Sequence, residues 1–122
     1  MKKSWFRLAC AAAKNSDHER LKVGAVIVDK RPISVGCNKL KTHPIYANGD
    51  DWYSIHAEMS ALMNAGQDVT GCSIYVYRET AQGHLAMARP CDACLNALID
   101  AGIKTIHYTT PTGYAKEIIN VR

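Results

Sequence analysis

Four residues in this chain have types and spacings that could do chemistry. His56 and Glu58 stand in His56-Ala57-Glu58, and Cys91 and Cys94 stand in Pro90-Cys91-Asp92-Ala93-Cys94. One imidazole and two thiolates are borderline and soft donors of the kind a Zn2+ ion takes. Cys91 and Cys94 are three residues apart, so on a helix they share one side of a turn and both sulfurs can reach one ion. A helix amino end also favours the thiolate form. Three protein ligands leave a tetrahedral ion one position for water, the arrangement of a catalytic centre rather than a closed structural one. Water bound there has its pKa lowered from near 16 to about 7. Glu58, two residues from the histidine, is poorly placed to ligate the same ion, but it can take that water's proton and hand it to a leaving amine.

The elements that must position these residues follow from periodicity and turn chemistry. Residues 5–16 are rich in helix formers behind Ser4, a suitable N-cap, and Asn15-Ser16-Asp17 ends that helix. Two apolar runs, 23–28 and 33–38, flank Lys30-Arg31-Pro32 and predict a hairpin. Residues 39–54 hold His43-Pro44, Asn48-Gly49 and Asp50-Asp51, a long loop of functional type. Residues 55–65 predict a helix with Ile55, Met59, Leu62 and Met63 on one face, stopped by Gly66. A strand over 72–77 leads into a second long loop, 78–89. Pro90 then opens a helix over 91–101 with Cys94, Leu95, Leu98 and Ile99 on a shared face, and a strand follows at 103–108. Beyond Pro111 the pattern fits either a short helix over 114–119 or an edge strand over 118–121. The order α-β-β-α-β-α-β implies an α/β fold: a three-layer α/β/α domain with a mixed sheet of four to five strands. Its helix-borne motifs lie at the carboxyl ends of the strands, where such sheets bind ligands.

Composition sets the bounds. With 122 residues, 48% apolar and 21% charged, the chain reads as one globular domain, 1–122, outside the range of disordered sequences. It has no apolar run of bilayer-spanning length and no secretory signal, so the expected location is cytoplasmic with no membrane partner. Residues 1–41 carry ten of the fifteen Lys and Arg residues but only three of the eleven acids. That asymmetry fits either an anionic partner or a solvated basic face. Of the five cysteines, Cys10, Cys37 and Cys72 stand singly in apolar stretches and read as small core residues.

The H-A-E and P-C-x-x-C motifs together resemble the zinc-dependent cytidine/deoxycytidylate deaminase superfamily, whose signature they match. Val23-Gly24-Ala25-Val26-Ile27-Val28, Gly36-Cys37-Asn38, Lys41-Thr42-His43-Pro44 and Ala101-Gly102-Ile103 fall in family order, and the similarity is greatest to small viral deoxycytidylate deaminases. The resemblance implies a cytidine deaminase-like fold with zinc held by His56, Cys91 and Cys94. It implies attack at C4 of a cytosine, with Glu58 protonating the ring nitrogen and then the departing ammonia. By the same match Asn38 touches the sugar, and backbone groups at Ala25 and Ala57 line the base pocket. Arg89 stands where relatives usually carry Ser or Glu, and it either grips a substrate phosphate or pairs with Asp92 or Glu79. The expected partner is a cytosine nucleotide or nucleoside, in a homo-oligomeric enzyme.

Other readings compete. A lone C-x-x-C can be redox-active, but that role requires no His-x-Glu upstream. A structural zinc would need a fourth ligand from Cys72, His84 or His43, and a zinc-stabilised binding module would have no use for Glu58. Trp52 and Tyr53 read as base-stacking rings or as loop anchors. With the basic amino-terminal third they also suit a deaminase acting on single-stranded DNA or tRNA. His18 and His107 read as structural or solvated, while His43 and His84 are in loops that could reach substrate.

Overall fold

Two glycines set how closely the helices approach the sheet. A Cβ on Gly24 would lie 1.9 Å from the Ala9 carbonyl oxygen, and one on Gly36 would lie 2.4 Å from the Ala61 amide nitrogen. Both neighbours are helix backbone, so a helix rests directly on each glycine. The computed structural model describes residues 3–16, 22–38 and 56–120. Over these residues α1 spans Lys3–Ala13, β1 Lys22–Asp29, β2 Arg31–Cys37 and α2 Ala57–Ala65. Then follow β3 Ser73–Glu79, α3 Asp92–Asp100, β4 Thr105–Thr110 and β5 Gly113–Ile118. Residues 39–54, expected as a loop and holding His43, Trp52 and Tyr53, lie outside the described residues, as do His18 and Ile55.

The five strands form one mixed sheet in the order β2-β1-β3-β4-β5. β1 is antiparallel to both β2 and β3, with Ala25 opposite Gly36 on one side and Val76 on the other. β3 and β4 are parallel, and β5 returns antiparallel against β4. β2 and β3 therefore run in the same direction on either side of β1, so both strand–helix–strand connections join parallel strands. The carboxyl ends of β2, β3 and β4 consequently lie along one edge of the sheet, and α2 and α3 begin there.

Strand alternation divides the core in two. Phe6 and Ala9 of α1 pack with Val26, Val28 and Tyr75 on one face. Ala57 and Ala61 of α2 and Leu98 of α3 pack with Ala25, Ile27, Ile74, Val76 and Ile106 on the other. Each fully buried Ile or Leu contributes roughly 1.5–3 kcal/mol, and the α2/α3 face holds Ile27, Ile74, Leu98, Ile103 and Ile106. The three-layer α/β/α arrangement with a mixed sheet is as expected.

Several local expectations are corrected. Ser4 lies inside α1, which begins at Lys3, and is not its cap. Met63 is 46% exposed, and the buried face of α2 is Ala57, Glu58, Ser60 and Ala61. Small residues face the sheet because α2 rests on Gly36, where a large side chain has no room. Ile99 is likewise at the surface, while Cys94 and Leu98 are buried. Cys10 is half-buried, unlike the buried Cys37 and Cys72. Residues 78 and 79 extend β3, and Glu79 forms a bridge to Leu85 across a turn at Gly83, so the second long loop is mostly a tight reversal. Past Pro111 the expected alternative of an edge strand holds over that of a helix, but the strand is Gly113–Ile118, beginning five residues earlier than expected. Alternate half-buried and exposed positions there gave little apolar periodicity to read.

Candidate active site

His56 and Cys91 are the N-caps of α2 and α3, both with extended backbone and neither capped by its own side chain. Their side chains are thereby left to point along the sheet edge toward each other. His56 Nδ1 lies 3.2 Å from Cys94 Sγ and 3.6 Å from Cys91 Sγ. The three donor atoms all lie within 4.8 Å of one another. Donors about 2.0–2.3 Å from a common tetrahedral ion are about 3.6 Å apart, so this soft donor set fits zinc. No fourth His, Cys, Asp or Glu donor joins the cluster among the described residues. Cys72 precedes β3 at the opposite end of the sheet, and His84 is exposed at the 79–85 turn; His43 lies outside the described residues.

Glu58 is in the first turn of α2 and only 5% exposed. Burial pushes its carboxyl above the ordinary carboxylate range, while its own backbone amide, His56 and Arg78 partly offset that shift. A buried carboxyl in the first turn of α2, two residues after His56, stands where a proton carrier would be needed.

Arg78 is a residue that sequence reasoning did not single out. It follows Val76 by two positions on β3 and so lies on the α2/α3 face, at the carboxyl edge where the ligands meet. Its Nη1 donates to the Met87 carbonyl at 3.1 Å, and its Nε is buried with no partner among the described residues. Only strand register could have exposed this position, since an Arg at the end of an apolar run looks like ordinary punctuation.

The remaining expected residues are distributed as follows. Asn38 is buried just after β2, where its amide donates to the Val23 carbonyl at 3.1 Å and its Oδ1 accepts from the Val23 amide at 2.9 Å. Ala25 and Ala57 are both buried in the core beneath the ligand edge. Arg89 forms a fork on Glu117, with Nε donating at 2.7 Å and Nη2 at 3.2 Å, and it forms no hydrogen bond with Glu79 or Asp92. Two clefts, of about 290 and 350 Å³, lie toward the other end of the sheet and are lined by none of His56, Cys91 and Cys94.

An imidazole and two thiols at adjoining helix starts, with a buried carboxyl two residues after the imidazole, have the make-up of a catalytic rather than a closed structural zinc site. The family model of the cytidine and deoxycytidylate deaminase zinc-binding region matches residues 1–110. The chain belongs to this family, and with it to the zinc-dependent hydrolases. It is 33% identical over 125 residues to a deoxycytidylate deaminase of Mycobacterium phage D29, covering 83% of this chain and 88% of that one. Among solved structures, a cytidine deaminase from Burkholderia pseudomallei shares the fold with TM-score 0.68 at 23% identity, over 98% and 93% of the two chains. The apo dCMP deaminase of cyanophage S-TIM5 does so with TM-score 0.63 at 22% identity, over 88% and 84%.

Proposed function

We propose that this protein deaminates cytosine nucleotides by hydrolysis, converting deoxycytidylate to deoxyuridylate and ammonia in the cytoplasm. The observation that carries the reading is the buried Glu58 carboxyl beside the His56, Cys91 and Cys94 cluster. Similarity to the phage D29 deoxycytidylate deaminase supports the choice of substrate. His56, Cys91 and Cys94 hold the zinc, which when bound supplies the Lewis acidity that makes water a nucleophile at neutral pH. Glu58 takes a proton from the attacking water and delivers it to the ring nitrogen N3. It then carries the second water proton to the exocyclic nitrogen. The C4–O bond forms, the C4–N bond breaks, and the two water protons end on N3 and in ammonia.

Asn38 holds the sugar, backbone groups at Ala25 and Ala57 border the base, and Arg89 meets a phosphate through Nη1, which lies outside its fork on Glu117. The enzyme works as a homo-oligomer, a reading supported by exposed Met63 and Ile99 on the two ligand-bearing helices.

Ammonia release is measured from dCMP, CMP, deoxycytidine, cytosine, a cytosine-containing oligonucleotide and an adenosine-bearing tRNA stem-loop. Fastest turnover is expected with dCMP, whereas release from the polymers alone would replace this reading with a nucleic-acid deaminase. Glu58→Ala is expected to keep about one zinc per chain and to lose about 10²–10⁴ in rate. Full activity in that variant would reject Glu58 as the proton carrier.

A further inference from the structure

Residues 86–89 bring the chain from the 79–85 turn to Cys91, and three successive strands fasten them. β3 supplies the Arg78 carbonyl, which accepts from the Ala86 amide at 3.0 Å, and the Arg78 guanidinium, which donates to the Met87 carbonyl. β4 supplies fully buried Thr109, whose hydroxyl donates to the Ala86 carbonyl at 2.8 Å and whose carbonyl accepts from the Ala88 amide at 2.9 Å. β5 supplies Glu117, which receives the Arg89 fork and also the Tyr108 hydroxyl at 2.6 Å.

Pro90 has no amide to donate, so the Arg89 side chain is the last of these ties before Cys91. Cys91 is also the exposed ligand of the three, whereas Cys94 is buried within α3. We propose that Glu117 is a positioning residue of the metal centre: through Arg89, with Tyr108 steadying its carboxylate, it sets the approach of Cys91 to the ion. This rests on the zinc reading above. The Arg89 and Glu117 side chains are 41% and 35% exposed, and an exposed ion pair contributes little to overall stability. Its bidentate fork nevertheless fixes direction, so the effect falls on metal retention rather than on folding.

Zinc affinity is measured on the full chain by competition with a chromophoric chelator, together with the thermal midpoint of the metal-free protein. Groups just outside the ligand shell typically alter metal affinity about 10–100-fold; acting one residue further out, Glu117→Gln is expected to weaken zinc about three- to tenfold. Tyr108→Phe weakens it less, and the metal-free midpoint stays close to wild type in both. The exchanged pair, Arg89→Glu with Glu117→Arg, recovers most of the loss. Wild-type zinc affinity in Glu117→Gln, no recovery in the exchanged pair, or an equal loss of metal-free stability would each overturn the proposal. A wild-type chain that binds no zinc would overturn the metal-centre reading and this proposal with it.

Discussion

His107 shows how a single buried side chain can write itself into the pH dependence of stability. It is 5% exposed in the middle of β4, stacked on Tyr75 with ring centroids 4.0 Å apart, and its Nδ1 has no partner among the described residues. Burial, with the Lys116 charge adding to it, lowers its pKa to about 4. The unfolded chain binds that proton near pH 6.5, so the folded state is favoured while the ring is neutral. This contribution is fully present above pH 6.5 and is lost as pH falls toward 4. Discounted for water in the cleft that the ring borders, it amounts to about 1–2 kcal/mol. Urea midpoints measured between pH 7 and 4 should therefore fall more steeply for wild type than for His107→Phe, and parallel curves would show that the ring does not titrate this way.

At the scale of elements, the contact between α2 and β2 fixes where His56 and Glu58 stand. Gly36 lets the helix backbone touch the strand, Ser34 Oγ donates to the Ala61 carbonyl at 2.8 Å, and Asn64 Nδ2 donates to the Val35 carbonyl at 2.9 Å. Gly36→Ala puts a methyl into helix backbone that has no flexible end to yield, so about 1–3 kcal/mol of stability should be lost. Zinc affinity should fall with it, as His56 is pushed away from the two cysteines. A variant with wild-type denaturation midpoint and metal affinity would show that α2 is not seated on this glycine. The sequence made part of this legible. His56, Glu58, Cys91 and Cys94 announce themselves because their donor types and helical spacing carry the chemistry locally. Gly36 is visible as a glycine in a strand but the helix lying on it is not, and so apolar spacing alone places Met63 on the buried face, whereas it is exposed. The start of β5, at Gly113 rather than at 118, is not legible because a half-exposed edge strand has weak periodicity. Arg78, Thr109 and Glu117 draw their importance from register across three strands, which no local window contains.

For the whole molecule, two parallel connections bring His56, Cys91 and Cys94 to one edge of one sheet, so the donor cluster is assembled only when the sheet is complete. Zinc binding and folding should be linked accordingly. Among the described residues, no helix is long and apolar enough to cross a membrane. The account is tested most directly by zinc-edge X-ray absorption on the protein loaded with one equivalent of metal. It predicts a shell of two sulfurs, one imidazole and one further light atom. A third sulfur, a second imidazole, or failure of the folded protein to bind zinc would contradict it.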